Sequence, residues 1–250
     1  RHLAVPADWS GPELFIPVQT RRGCAMDCSY CSTASIEGRR LRRRSPEKVA
    51  ENLEQYVAAG FSRFFFVDNT FNLPPSCAHA MCDAILGRGL AIEWRAIVYP
   101  RRVEERLVEK MTRAGCREVS LGFETGSEAM LTRYNKKFTL NDVREAMRLF
   151  AIHGIRRLGF LLLGGPGETR ETVAESLAFA ESLRPDALKV TCGVRVYPGT
   201  ILERQAREEG LLPPEGGLLS PTFYLSPAVA DWLPETVYDW AGSRPWVLPA

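Results

Sequence analysis

With 250 residues, 45% of them hydrophobic, the chain can bury one large core, and an α/β barrel of this length is commonly a single domain. Its 32 basic and 30 acidic residues leave a formal charge of +2, which argues against a general attraction to nucleic acid or to an anionic membrane. No apolar run approaches the roughly 18 residues that span a bilayer, and the opening RHLAVPADWSGPELF lacks the apolar segment of a secretory signal. It also lacks an initiator methionine, so the chain reads as cut from something longer.

Short apolar runs alternate with amphipathic ones. LFIPV at 14–18 reads as a first strand that leads into a cysteine-rich stretch. SPEKVAENLEQYVAAG follows as a helix. Ser45 is a good N-cap, Pro46 suits the first helical position, Val49, Leu53 and Val57 share one face, and Gly60 ends it. FFFV at 64–67 is continuously apolar, as expected of a strand buried on both faces. A helix around 76–87 precedes a strand near 92–98, and a helix at 102–114, stopped by Gly115, precedes EVSLGF. A longer helical region over 127–153, stopped by Gly154, precedes RRLGFLLL. A helix at 169–182 precedes ALKVTCGV, and a last helix at 200–209 stops at Gly210.

This order makes six strand–helix units with short connections, which calls for parallel strands with helices outside. Eight units close a barrel. Six predict an α/β fold over residues 1–210, an open, partial (β/α)6 TIM-like barrel, with a doubly wound open sheet as the alternative. In either architecture chemistry sits at the carboxyl ends of the strands. The polar clusters fall there: cysteines after the first strand, Asp68-Asn69-Thr70 after the second, Glu124-Thr125 after the fourth, and GGPGET at 164–169 after the fifth. Residues 211–250 differ, with seven of the 17 prolines and three of the five tryptophans, Trp232, Trp240 and Trp246. They read as an irregular tail packed on the barrel, a cover for its open side being the sharper alternative.

Seven cysteines, an odd number without an export signal, argue for a reducing cytoplasm rather than a disulfide framework. Cys77, Cys82, Cys116 and Cys192 lie in apolar, periodic segments and read as small core residues. GCAMDCSYCS at 23–32 is different, for it crowds Cys24, Cys28 and Cys31 together. Structural zinc takes four ligands, and none of the three histidines, His2, His79 and His153, lies in this loop. A redox pair at Cys28 and Cys31 leaves Cys24 without a role. A C-x3-C-x2-C loop supplies three of the four thiolates that a 4Fe-4S cluster usually takes, and leaves one iron open to a small molecule.

CAMDCSYC, with an aromatic before its third cysteine and a place after a first strand, resembles the cluster loop of the radical S-adenosylmethionine (SAM) superfamily. The resemblance covers roughly residues 14–210. It implies a 4Fe-4S cluster on Cys24, Cys28 and Cys31 whose open iron is chelated by the amine and carboxylate of SAM. It also implies one-electron cleavage of SAM to methionine and a 5′-deoxyadenosyl radical. Tyr30 is then the aromatic bordering the adenine. Asp68 and Asn69 stand where the family's Gly-Gly-Glu motif holds the methionyl ammonium, although both also read as a strand-end turn. Glu124 matches the acid that reaches SAM's polar groups, and Gly164 and Gly165 match the segment beside the adenine. Arg95 and Arg195, cations on predicted strands, serve SAM's carboxylate, a substrate, or simply Glu93 or Glu124. RRLRRR at 39–44 reads as a solvated connector rather than a nucleic-acid patch, with docking of an acidic electron donor as a further use.

DNTFN, GFETGS, GGPGET and YPGT resemble the branch whose members often carry a cobalamin-binding domain before the barrel and methylate carbon centres. About 13 residues precede the first strand here, so that domain was removed, is a separate chain or never existed, and methyl transfer through cobalamin does not carry over to this chain alone; cobalamin enters only where a missing or separate domain supplies it. The expected function is SAM cleavage for carbon methylation or another C–H modification of a small-molecule substrate. An external one-electron donor such as flavodoxin or ferredoxin feeds the cluster. One alternative is a methylthiotransferase acting on tRNA or protein, which the short tail without a basic-aromatic pattern disfavours. The other is a non-catalytic iron–sulfur electron carrier or redox sensor, which gains nothing from an open iron.

Overall fold

The computed structural model describes residues 14–212, 218 and 220–248, and the strand–helix alternation is there in the predicted order. Strand β1 (Ile16–Val18) enters a lobe built from β2 (Arg21–Arg22), α1 (Thr33–Glu37) and β3 (Arg42–Arg43). Then come α2 (Pro46–Ala58), β4 (Arg63–Phe66), α3 (Pro75–Gly87), β5 (Glu93–Val98), α4 (Glu105–Arg113) and β6 (Cys116–Glu124). Helices α5 (Glu128–Arg133) and α6 (Leu140–Ile152) precede β7 (Arg156–Leu163), α7 (Arg170–Ser182), β8 (Ala187–Cys192), β9 (Val194–Arg195) and α8 (Ile201–Glu208). The tail holds β10 (Phe223–Tyr224), α9 (Leu233–Gly242) and β11 (Val247–Leu248).

Seven strands form one sheet in the order β1-β4-β5-β6-β7-β8-β11, with every neighbouring pair parallel. The two edge strands do not meet among the described residues, so the sheet is a partial barrel. Side chains on the helix-covered face are wholly buried, among them Phe64, Phe66, Trp94, Leu121 and Leu161, and pack into one continuous core. The opposite face is only half covered. FFFV was expected to be buried on both sides, yet burial alternates along β4 and leaves Phe65 half-exposed, because an incomplete barrel does not fill its own interior.

Local signals set several boundaries as predicted. The Ser45 hydroxyl accepts from the Lys48 amide at the start of α2, with Pro46 at its first position. The predicted helical region over 127–153 is two helices instead. Tyr134 caps α5, Asn135 takes a left-handed backbone at φ 56°, and Thr139 opens α6 with a capping box shared with Asp142. Thr139→Ala is expected to cost about 1 kcal/mol of stability, read from urea unfolding. Burial pushes the Asp142 carboxyl up, but the Thr139 amide and hydroxyl outweigh it and hold it below the ordinary value. That share of stability is present above the ordinary carboxylate range and is lost as pH falls through the lowered value.

The tail is more regular than its composition predicts. Pro234 sits in the first turn of α9, where proline is tolerated, and Leu233 and Val237 insert into the core. Trp240 and Trp246 meet edge to face at 5.7 Å, and β11 extends the sheet past β8. Cys82 and Cys116 are buried core residues, and burial pushes the Cys82 thiol up to about 12. Cys77 and Cys192 are half-buried. Among the described residues no helix is long and apolar enough to cross a membrane.

Candidate functional site

The three clustered cysteines lie in a lobe whose base is the antiparallel β2–β3 ribbon. Its backbone is pinned at both ends. The Cys24 amide donates to the Gly38 carbonyl at 3.0 Å, and the Gly23 amide donates to Glu37 Oε2 at 3.0 Å. Gly23 takes φ 99° and lies flat on the Arg40 carbonyl, so any Cβ there would collide with it. Contacts from distant segments hold the lobe's inner side. The Ser29 amide donates to the Tyr134 carbonyl at 3.1 Å, Asn135 Nδ2 donates to the Asp27 carbonyl at 3.0 Å, and the Leu202 amide donates to the Ser29 carbonyl at 3.0 Å. The break between α5 and α6 is therefore the surface on which the cysteine loop rests.

Cys24, Cys28 and Cys31 line one cavity of about 180 Å³ at the carboxyl ends of the strands, together with Tyr30, Asn69, Thr70, Tyr99, Glu124 and Lys136. All three thiols are free, and Cys31 Sγ donates to Thr33 Oγ1 at 3.2 Å. Burial pushes the Cys24 and Cys28 thiols up, and the Lys136 ammonium pulls Cys28 back. Among the described residues no set of three metal-ligating side chains is close enough to hold a single ion. A cube that takes one thiolate per iron asks for a wider triangle, and three free thiols around one cavity fit that demand.

Opposite the cysteines sits a buried polar triad. The Tyr30 hydroxyl donates to Glu124 Oε1 at 2.9 Å, and Lys136 Nζ lies 2.8 Å from the Tyr30 oxygen and 3.2 Å from the same carboxylate oxygen. The Lys136 side chain is 5% exposed and that of Glu124 15%. Burial works against the Lys136 charge, but Glu124 and Cys28 outweigh it and raise its pKa. Burial and the Glu124 charge hold the Tyr30 hydroxyl well above its usual range. Glu124 has φ 65°, uncommon for a residue with a Cβ, where β6 slips register against β7. A Cβ on Gly122 would come within 2.6 Å of Glu124 Oε1, so that glycine makes room for the carboxylate.

The other predicted contacts divide. Asn69 lines the cavity, and its Nδ2 donates to Glu37 Oε2 at 3.2 Å. Asp68 does not line it. Asp68 is 1% exposed and accepts from the Thr20 amide at 2.9 Å, the Arg21 amide at 3.2 Å and the Thr20 hydroxyl. Its carboxylate ties the end of β4 to the start of the lobe. Asp68→Ala is expected to cost about 2–3 kcal/mol, measured by urea unfolding, because it strands the buried Arg21 amide and the half-buried Thr20 amide. Arg95 also lies away from the cavity. Its guanidinium stacks on Phe15 at 4.2 Å and Phe65 at 4.9 Å and reaches Glu118 at 3.8 Å, not Glu93 or Glu124. Arg195 sits on the β9–β10 ribbon over the Tyr197 ring at 4.9 Å.

Gly164 and Gly165 act at one remove from the cavity. Gly165 leaves room for the Tyr134 hydroxyl, and the Tyr134 ring meets Tyr30 edge to face at 5.4 Å. Gly164 takes φ 87°, and its amide donates to Glu168 Oε2 at 3.1 Å. Lys136 lines the cavity and is not among the residues that the sequence singles out. Lys136 was hidden inside an assumed helix. Asn135 before it and the Thr139-x-x-Asp142 box after it were the clues to a break.

A parallel partial barrel that presents three thiols and a buried lysine–carboxylate pair at its strand ends defines a cluster-binding α/β protein. Residues 18–180 match the Radical SAM superfamily, and the chain belongs to it. An uncharacterised methyltransferase of Pyrococcus horikoshii is 33% identical over 196 residues, 78% of this chain and 42% of that protein. The tryptophan 2-C-methyltransferase of Streptomyces laurentii is 25% identical over 209 residues, 77% of this chain and 34% of that protein. The chain thus spans less than half the length of these relatives. Among solved structures, the radical SAM methyltransferase TsrM from Kitasatospora setae, with tryptophan and a SAM analogue bound, has a TM-score of 0.82 at 23% identity. The match covers 94% of this chain and 54% of that one. The cobalamin-dependent SAM radical enzyme OxsB has a TM-score of 0.73 at 18% identity, covering 91% of this chain and 41% of that one. At these identities the likeness is one of fold.

Proposed function

We propose that this chain is the core of a radical SAM enzyme that cleaves SAM reductively, yielding a 5′-deoxyadenosyl radical for carbon methylation or another C–H modification of a small molecule. The observation that carries the reading is the convergence of Cys24, Cys28 and Cys31 on one cavity that also presents Asn69, Glu124 and Lys136. The three cysteines would hold three irons of a 4Fe-4S cluster. When bound, that cluster supplies the electron for breaking the C5′–sulfur bond of SAM.

The chain's own residues bind and orient. Glu37 engages the amide nitrogen of Asn69, which leaves Asn69 Oδ1 to accept from the ammonium of SAM. Lys136 is the cation placed for SAM's carboxylate, and Glu124 Oε2 keeps its lone pairs for hydroxyl or ammonium donors because Oε1 takes both Tyr30 and Lys136. Ile97, Val98 and Tyr99 form an apolar wall that keeps water from the reacting bond. The relatives named as methyltransferases support methylation as the outcome. Cobalamin, where it takes part, is brought by a domain or chain outside the described residues. A cytoplasmic location fits the reduced cysteines.

Anaerobic reconstitution, reduction with dithionite and addition of SAM test the reading. The expected product is 5′-deoxyadenosine, with S-adenosylhomocysteine as well when cobalamin and a methyl acceptor are supplied. A fully loaded cluster that leaves SAM intact overturns the proposal in favour of an electron carrier.

A further inference from the structure

Cations on the interior face of strands β4 to β7 are matched by carboxylates on the same face. At the amino end of the strands Arg63 reaches Glu93 at 3.4 Å, and Arg95 and Arg156 share Glu118 at 3.8 Å and 3.3 Å. Strand β8 breaks the rule. Its interior-facing Lys189 is exposed and, among the described residues, meets no carboxylate within ion-pair distance. Its neighbours in sequence, Leu188 and Val190, are buried toward the helices, so alternation turns the lysine the other way.

Strand register ties this lysine to the cavity. Phe160 pairs with Gly122 on one side and with Lys189 on the other, so the three share a face and a level. Gly122 lines the cavity that holds the three cysteines. Lys189 stands two strand spacings from it, roughly 10 Å. The surface between them is apolar and bare. Leu158 and Phe160 are half-buried, and neither joins the packed core. Ser120, beside Leu158 on this face, and Thr191, two positions beyond Lys189, carry hydroxyls without a hydrogen-bond partner among the described residues. An apolar platform with a few unengaged polar groups at its rim is the lining of a small-molecule site. Here the reactive cavity lies at one end of the platform and a free ammonium at the other.

We infer that Lys189 anchors the anionic head, a carboxylate or a phosphate, of the small molecule that this site modifies. The apolar body of that molecule lies across Phe160, and its reacting carbon reaches the Gly122 end. The inference rests on the reading of the cavity as the SAM site, and it adds a substrate class: an organic anion with an apolar body about as long as the platform. The other interior cations are not free for this task. Lys136 is held by Glu124 and Tyr30, and Arg95 by Glu118 and two phenyl rings. A compact ammonium on a flexible stem serves either kind of head as a point charge.

The test uses the full chain with its cluster and three probes that share a phenyl body: hydrocinnamate, phenethyl phosphate and the neutral hydrocinnamamide. Affinities are read by ligand-observed NMR without reductant. The wild type is expected to bind at least one of the two anions about tenfold more tightly than the amide. The anion bound more tightly tells a carboxylate site from a phosphate site. Lys189→Gln is expected to erase that preference and to leave amide binding as it was, while Lys189→Arg keeps most of it. Phe160→Ala is expected to weaken all three probes severalfold and to leave the preference in place. Iron content and the urea midpoint of Lys189→Gln stay at wild-type values, because the side chain is exposed. Equal affinity for amide and anions in the wild type, a preference that survives Lys189→Gln, binding that Phe160→Ala leaves untouched, or no binding of either anion at millimolar concentration each overturns the inference. Because binding is read without turnover, a wild type that leaves SAM intact counts against the proposed chemistry and leaves this measurement intact.

Discussion

Cys28→Ala abolishes both the broad visible absorbance of the reconstituted cluster and the cleavage of SAM. Cys24→Ala and Cys31→Ala do the same. The expectation is large because the loop offers three thiolates and no spare. The cavity wall they share presents Asn69, Glu124, Lys136 and aromatic rings, none a thiolate to replace the lost one. Loss of one ligand therefore takes away a cube, not a fraction of one. Cys192→Ala is the control. Cys192 is half-buried, does not line the cavity, and its replacement leaves iron content and cleavage in place. Iron and sulfide assays with the anaerobic visible spectrum read the first half of the result, and chromatography of 5′-deoxyadenosine reads the second. Wild-type iron loading in Cys28→Ala would show that the cluster is held by other residues.

Lys136→Met destabilises the chain by about 3–5 kcal/mol, the usual cost of leaving one member of a buried ion pair without its partner. Glu124 keeps its carboxylate in a site that is 15% exposed, and Tyr30 loses the ammonium 2.8 Å from its oxygen. Glu124→Gln is costly for the converse reason, because it strands a lysine with only 5% of its side chain exposed. The double variant Lys136→Met, Glu124→Gln is expected to recover part of the loss, since it removes both charges together. Urea unfolding of the four proteins reads the coupling, and strictly additive losses would mean that the two residues do not act as a pair. In the loaded protein Lys136→Met is also expected to weaken SAM binding about tenfold or more, because a charge-assisted contact to its carboxylate is lost. Lys136→Arg keeps the charge but not the shape of the ammonium, so partial rescue is expected in both measurements.

Much of the site was legible because its chemistry is local. Three cysteines within eight residues, an aromatic between them and a strand before them are all features of a short stretch. Asn69 and Glu124 could be placed at strand ends from period alone. Asp68 shows where that reasoning stops. It directly precedes the cavity-lining Asn69, yet its carboxylate is taken by Thr20 and Arg21, 48 and 47 positions earlier. Arg95 reads from the sequence as a partner for SAM's carboxylate, for a substrate, or for Glu93 or Glu124, but strand register sets it beside Glu118 and two phenyl rings. The helical period across 127–153 was real on both sides of Asn135, and a sum over a long window could not register one left-handed residue between two helices.

The amino-acid order by itself determined the alternation of parallel strands and outer helices, the cysteine loop after the first strand, and the caps that start α2 and α6. These depend on period, spacing and hydrogen bonds within a few residues. Tertiary structure decided which polar groups share a cavity. Tyr30 meets Glu124 across 94 positions and Lys136 across 106, and the lysine reaches them only because the chain breaks and turns at Asn135. The direction of a side chain at a strand end is set by the neighbouring strand and by distant donors. Those partners exist only once the sheet has formed.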